Sequence, residues 1–332
     1  MFSLSKLLPV KLRLSFLVFL TVTFVLGMVQ SKVDTKMLLF ERFFKNGGWV
    51  EVFLVAVYGA VIIYFMHDIR KTARWRVISW TVFSVWFFLQ LFLGILVDEI
   101  FLLTGKLHLP VPAMIIGGPL YRGQLSIMTL LFISTIILSG PAWCSHLCYF
   151  GAIDGYFSKK GKAKIKPLVK KPVALKSSLL AIVVFSSLVM KWTGVQNFAA
   201  TIAGLAFGTL GLLIIIFVSA KKGKMVHCVT YCPIGTMVNY LKFINPFRLK
   251  IDNSCTRCMA CTATCRYDAL NLMDIENKKP GITCTLCGDC LVSCNTNAIR
   301  YSFLRLKPQN ARNLYLFLSI SLHAIFMAMG RI

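Results

Sequence analysis

Acidic side chains are scarce in this chain. Its 332 residues hold 12 Asp and Glu against 37 Lys and Arg, and all charged residues together make up only 15%. A soluble globular chain carries about 25% charged residues, and a disordered one combines low hydrophobicity with high charge. Neither fits a hydrophobic fraction of 57% and a mean hydropathy of +0.72. Glycine, at 22 residues, is too sparse for a collagen repeat, and the length excludes a small secreted disulfide scaffold. No G-x-G-x-x-G fingerprint follows a strand pattern, which argues against direct use of a nicotinamide nucleotide. An integral membrane protein remains. The formal charge of +25 invites a nucleic-acid reading, but the basic residues lie between apolar spans, where the positive-inside rule accounts for them. No nucleic-acid partner is expected; the lipid bilayer is.

A membrane-spanning helix needs about 20 mostly apolar residues. Seven segments qualify: Leu14–Val29, Val50–Met66, Val77–Val97, Gln124–Ser139, Val173–Met190, Phe198–Ala220 and Asn313–Gly330. The first has a basic front but no small-residue cleavage pattern after it, so it reads as a retained anchor. Leu109–Leu120 is apolar but short and broken by Pro and Gly, the pattern of a re-entrant or interfacial piece. Basic residues cluster after the second span (Arg70, Lys71, Arg74, Arg76), after the fourth (Lys159, Lys160, Lys162, Lys164, Lys166, Lys170, Lys171) and after the sixth (Lys221, Lys222, Lys224). These loops alternate onto one side, which the rule makes cytoplasmic; the first loop (Lys32, Lys36, Arg42, Lys45) weakens the bias without reversing it. The expected protein is multi-pass in a bacterial-type inner (cell) membrane, with its N-terminus inside and its C-terminus outside.

Twelve cysteines stand out against this background. Eight fall in one polar segment, residues 247–306. They read Cys255-x2-Cys258-x2-Cys261-x3-Cys265 and Cys284-x2-Cys287-x2-Cys290-x3-Cys294, each cysteine of the second run lying 29 positions after its counterpart. This is an internal duplication. Three cysteines at x2 spacing wrap three corners of a [4Fe–4S] cube; the fourth ligand comes from the x3 cysteine of the other repeat. The expected ligand sets are therefore Cys255, Cys258, Cys261 and Cys294 for one cluster, and Cys284, Cys287, Cys290 and Cys265 for the other. Small residues in the loops, Ala260 and Gly288, let backbone amides approach the sulfides. Zinc rarely uses such runs, and disulfides do not suit a cytoplasmic segment. One departure is visible: proline usually follows the fourth cysteine, and Arg266 and Asn295 stand there instead.

The remaining four cysteines form a second repeat. Cys144-x3-Cys148-x2-Gly151-x4-Tyr156 recurs 84 positions later as Cys228-x3-Cys232-x2-Gly235-x4-Tyr240. Each copy follows an even-numbered span, so both lie at the cytoplasmic face, as in parallel repeats about an axis along the membrane normal. Three readings stay open for the quartet: a third iron–sulfur centre, a redox-active dithiol pair, or small residues packing at helix ends. The neighbouring His146 and His227 read as solvent-edge histidines, with a ligand role as the alternative.

This order of spans, Cx3C motifs and two-cluster module resembles the NapH group of polytopic membrane ferredoxin-type proteins, with the membrane core of NosR and MauN as relatives. The resemblance covers roughly Gln124 to Ile299. The second motif (HCVTYCPIGTMVNYL) matches the family's Cx3CPxG pattern; the first has Tyr149 in place of Pro. It implies an electron-transfer subunit passing electrons between the quinone pool or a cytoplasmic donor and a partner redox protein. Such a chain is a non-autonomous, quinol-dehydrogenase-like oxidoreductase component whose partners are redox subunits or an acidic electron carrier. The rival class is an iron–sulfur redox sensor or a metal-centre assembly factor. The sequence-based fold is an all-α membrane bundle of about seven transmembrane helices with an inserted small α+β two-[4Fe–4S] ferredoxin-like domain. Its divisions are residues 1–246 with six helices, 247–306 with the clusters, and 307–332 with the last helix. For quinone, Asp98 and Glu99 at the end of the third span are candidate proton acceptors, and a helix end equally lets them reach outer water. His323 lies inside an apolar span, but His67 and His108 sit near helix ends and give it no convincing haem partner. Gly204 and Gly208 read as a close-packing face.

Overall fold

The computed structural model describes residues 9–102, 110–162, 167–168 and 172–329. In chain order the helices are α1 (Val10–Lys32), α2 (Leu39–Phe43), α3 (Gly47–Met66), α4 (Ile69–Leu96), α5 (Met114–Arg122), α6 (Ile127–Ser139), α7 (Tyr149–Ser158), α8 (Pro172–Trp192), α9 (Asn197–Leu213), α10 (Ala220–Lys222), α11 (Pro233–Leu241), α12 (Ala260–Thr264), α13 (Leu272–Glu276), α14 (Asp289–Val292) and α15 (Pro308–Met329). Two short strands, β1 (Arg248–Ile251) and β2 (Ile299–Ser302), flank the duplicated cysteines. Among the described residues, seven helical stretches are long and apolar enough to cross a membrane: Val10–Lys32, Gly47–Met66, Ile69–Leu96, Ile127–Leu147, Val173–Trp192, Asn197–Lys222 and Pro308–Met329. They coincide with the seven apolar segments of the sequence.

The chain packs as two units, Met1–Leu107 with Gln309–Ile332, and His108–Pro308. In the first, α1, α3, α4 and α15 carry the membrane-length spans. Arg312 of α15 donates to the carbonyls of Met66 and His67 and to Thr72 Oγ1, each at 2.8 Å, satisfying carbonyls at the end of α3 that no further turn would reach. His323 is fully buried and lies 2.9 Å from Tyr58 Oη, with the Phe83 ring beside it. Asp98 and Glu99 are exposed; Asp98 caps a short turn by accepting from Ile100 N at 2.7 Å. His108 lies outside the described residues.

The second unit holds all twelve cysteines. The piece read as re-entrant folds in part as α5, nine residues closed by Gly123 in the left-handed region. It lies against α8, where a Cβ at Gly117 would come within 2.9 Å of Ser187 Oγ. Gly208 is likewise a point of close approach, since a Cβ there would meet Val111 at 2.5 Å. The strands pair antiparallel, Leu249 with Tyr301 and Ile251 with Ile299. Period-2 alternation turns these four side chains into the core of the cysteine-rich segment.

The duplication is written into the backbone. Arg257, Met259 and Asp268 adopt positive φ in the first repeat, and Leu286, Gly288 and Asn297 do so 29 positions later. Met259 and Gly288 cap α12 and α14, which open 29 residues apart. Successive turns of this kind point N–H groups into a concavity suited to an anionic group.

Candidate metal centres

The structure gathers the cysteines into three groups of four. Cys255, Cys258, Cys261 and Cys294 line one cavity together with Arg257, Met259 and Thr296. Cys258 is exposed, so this group opens to solvent. The x3 cysteine has crossed from the second repeat, as the sequence pattern implies. Cys265 makes the reverse crossing. It lies within electrostatic range of Cys284, and Cys290 within range of Cys287, Cys265 and Cys284. Cys265 Sγ accepts from Ala269 N at 3.4 Å and Cys294 Sγ from Ala298 N at 3.2 Å. These two contacts are again 29 residues apart and stabilise thiolate over thiol. Burial pushes the Cys265 thiol up to about 12, with the Ala269 amide opposing it, and holds Cys290 well above the ordinary thiol range. Metal loading must therefore displace protons.

The four Cx3C cysteines converge as a third group, each within electrostatic range of others in the set. Local geometry is the same in both copies. Each motif makes one π-helical turn, Trp143–Leu147 and His227–Tyr231. Each turn closes with Cys148 N donating to Trp143 O, or Cys232 N to His227 O, at 2.9 Å. Cys148 (φ −74°, ψ 115°) and Cys232 (φ −69°, ψ 118°) then start α7 and α11 from matching extended conformations. Proline at the first helical position of α11 suits a helix start, and Tyr149 enters α7 in the same backbone geometry. π-Turns inside helices recur at functional sites.

Residues 124–167 and 205–250 match the family described as "4Fe-4S binding domain". These stretches contain Cys144, Cys148, Cys228 and Cys232 and none of the eight cysteines of the 247–306 segment. The chain is a ferredoxin-type iron–sulfur protein. It is similar to the uncharacterized protein MJ0750 of Methanocaldococcus jannaschii, 23% identical over 249 residues that cover 69% of this chain and 94% of the relative. It is also similar to the uncharacterized protein MJ0749 of the same organism, 26% identical over 171 residues covering 50% of this chain and 65% of that one. No solved structure matches.

Direct hydrogen bonds join the second ferredoxin-like group to the Cx3C group. Tyr267, two residues past Cys265, donates its hydroxyl to Cys144 O at 2.7 Å. Ser145 Oγ donates to Thr285 O, next to Cys284, at 3.2 Å. Lys242 Nζ donates to Ile282 O and reaches Cys284 O at 3.4 Å. Arg266 explains the missing proline. Its guanidinium donates to the carbonyls of Ser158 at 3.0 Å, Gly161 at 3.4 Å and Gly223, tying the fourth-cysteine loop to the ends of α7 and α10. Its counterpart Asn295 is exposed. Asp268 adds a buried ion pair with Lys224.

Two expectations need correction. His146 and His227 do not sit at a solvent edge; they are 1% and 3% exposed. His146 Nδ1 lies 2.9 Å from Ser145 Oγ. His227 packs where Gly211 leaves room, since a Cβ there would come within 2.9 Å of Nε2. Burial holds the His227 imidazole down to about 3, in its neutral form. Asp154 was not found from the sequence. It is fully buried, accepts from Cys228 N at 3.0 Å, and its carboxyl is pushed up to about 6 by burial. The repeat comparison held a signal: the position 84 residues on is Val238, so this carboxyl belongs to one half-site alone. Asp154, His227 and Cys228 bring ligand atoms within 4.8 Å of one another.

Proposed function

We propose that the protein is a membrane-bound iron–sulfur electron-transfer subunit of the NapH kind. It would exchange electrons between the quinone pool, or a cytoplasmic donor, and a partner redox protein. The observation that supports this reading is contiguity. One four-cysteine group opens to solvent, and a third group, at the ends of two membrane-length helices, is hydrogen-bonded to the loops of the second, in which Cys290 is buried. The donor sets fit: the first two groups are all thiol, backbone amides face the sulfurs, and the spacing is that of cubane ligation. When bound, such clusters supply reversible one-electron transfer.

The chain's own residues hold this order. Arg266 and the Lys224–Asp268 pair fasten the cysteine-rich segment to α7 and α10, while Tyr267 and Ser145 fix the loop of Cys284 and Cys265 against the first Cx3C turn. The basic loops argue that the cysteine-rich segment and the N-terminus face the cytoplasm and that the C-terminus faces outward. The family resemblance supports quinone and a partner subunit, and the strong positive charge suits an acidic carrier.

Iron content and turnover test the proposal. Anaerobically purified protein carries about twelve iron atoms per chain if all three groups hold cubanes and about eight if only the ferredoxin-like pair does. Its visible absorption bleaches on addition of a quinol or a reduced acidic carrier at respiratory rates. Bleaching far slower than that flux would favour the sensor or assembly reading.

A further inference from the structure

Two buried lysines have no acidic partner among the described residues. Lys176 of α8 is 2% exposed and Lys242, at the end of α11, is 8% exposed. Among the described residues neither has a carboxylate within ion-pair distance. With the Asn239 amide assigned the orientation that satisfies both of its ends, its oxygen lies 2.9 Å from Lys176 Nζ and its nitrogen 3.2 Å from Gly235 O and 3.0 Å from Ile282 O. A Cβ at Gly235 would lie 3.4 Å from that ammonium, and Gly235 N faces Cys232 Sγ at 3.5 Å. Lys176 is thus aimed at the Cx3C quartet, within electrostatic range of Cys232, Cys144 and Cys228. Lys242 Nζ sits on the Ile282 and Cys284 carbonyls, and the charged or ionisable side chains acting on it are Cys284, Cys144, Arg248 and Lys176, of which Arg248 and Lys176 are cationic. The buried carboxylate of this region, Asp154, faces Cys228 instead.

Burying an ammonium without an anion is costly, and such a group either gives up its proton or is kept charged where an anion answers it. A dithiol pair, a disulfide or four packed thiols are neutral and would leave both cations uncompensated. An oxidised iron–sulfur cluster held by four thiolates carries about −2. We infer that Lys176 and Lys242 are the counter-ions of the Cx3C centre, so that the quartet is built for a dianionic four-thiolate iron–sulfur cluster and its reduced form is stabilised by two fixed positive charges. This rests on the reading of the quartet as a metal centre, and it assigns each lysine a different reach. Lys176 acts on the Cx3C centre alone. Lys242, on the Cys284 carbonyl, acts on that centre and on the group of Cys284, Cys287, Cys290 and Cys265. Both are positioning residues, acting on potential through space rather than as ligands.

The experiment is an EPR-monitored redox titration of full-length protein in detergent, with iron counted on each sample. Lys176→Met should make one centre at least tenfold harder to reduce at equilibrium, a downward shift of 59 mV for a one-electron couple, with iron content unchanged. Lys242→Met should lower two centres, and Lys176→Arg should keep the wild-type potential. If Lys176→Met sheds iron, retention of iron and potential in Lys176→Arg still supports a charge role. Unmoved potentials in both Met variants, or an equal fall in Lys176→Arg and Lys176→Met, would overturn the inference. The underlying reading fails separately, if replacing Cys144, Cys148, Cys228 and Cys232 together with Ser leaves iron per chain unchanged.

Discussion

The two halves of the duplication should respond in opposite directions to opposite substitutions at one structural position. Gly288 and Met259 are equivalent, each capping the short helix of its loop with φ of 80° and 58°. For Gly288 this conformation is free of side-chain strain, and space is tight: a Cβ would lie 2.9 Å from Tyr301 Oη, whose hydroxyl donates to Leu286 O at 2.6 Å in a buried contact. Gly288→Ala therefore places a side chain in the left-handed region, costing about 1–2 kcal/mol, and pushes on a buried hydrogen bond whose loss costs about 1–3 kcal/mol. Met259 already bears that conformational cost, so Met259→Gly should recover roughly 1 kcal/mol in the same terms. On the proposed ligand assignment the two loops hold different clusters, so the assay is selective: iron release under chelator challenge, with each cluster followed by its own EPR signal. Gly288→Ala should hasten loss from the group of Cys284, Cys287 and Cys290, and Met259→Gly should slow it from the group of Cys255, Cys258 and Cys261. Equal behaviour of the two variants, or loss from the wrong group, would refute the strain argument and the ligand assignment on which it depends.

Other outcomes follow from the docking contacts. Arg266→Ala removes a guanidinium from three carbonyls and should cost about 2–3 kcal/mol, read as faster protease cleavage near Gly161 and Gly223 with both ferredoxin-like clusters initially intact. Asp268→Asn leaves Lys224 buried beside a neutral amide and should destabilise the same junction by on the order of 3 kcal/mol, measured by thermal unfolding in detergent. In the first unit the Gly48 amide, with help from Asn46 N and Gln30, holds the Glu41 carboxyl below its ordinary value of 4.5. A carboxyl depressed in the folded state adds stability above that ordinary value and loses it as pH falls through the folded one. The protection factor of the Gly48 amide, taken against its intrinsic exchange rate at each pH, should fall in acid in the native protein and be low at all pH in Glu41→Gln; a native protection factor independent of pH would remove the carboxylate from the account.

Sequence alone determined much here because its signals are periodic or exact. Twenty apolar residues in a row admit one reading, and all seven spans lie where hydropathy set them. The 29-residue and 84-residue offsets showed which cysteines correspond, and the x2-x2-x3 spacing raised the expectation that the x3 cysteine crosses to the other repeat, where Cys294 does line a cavity with Cys255, Cys258 and Cys261. Tertiary structure decided what no local pattern encodes. The grouping of α1, α3 and α4 with α15 rather than with the central spans depends on side-chain fit between apolar surfaces that look alike in composition. The burial of His146 and His227 depends on glycines and turns from elsewhere in the chain, such as Gly211. Arg266 looked like a lost proline and is a docking residue, because the carbonyls it serves come from helix ends more than forty positions away. Lys176, Lys242 and Asp154 carry no motif, since an isolated charge acquires chemical meaning only from what faces it once water has been excluded.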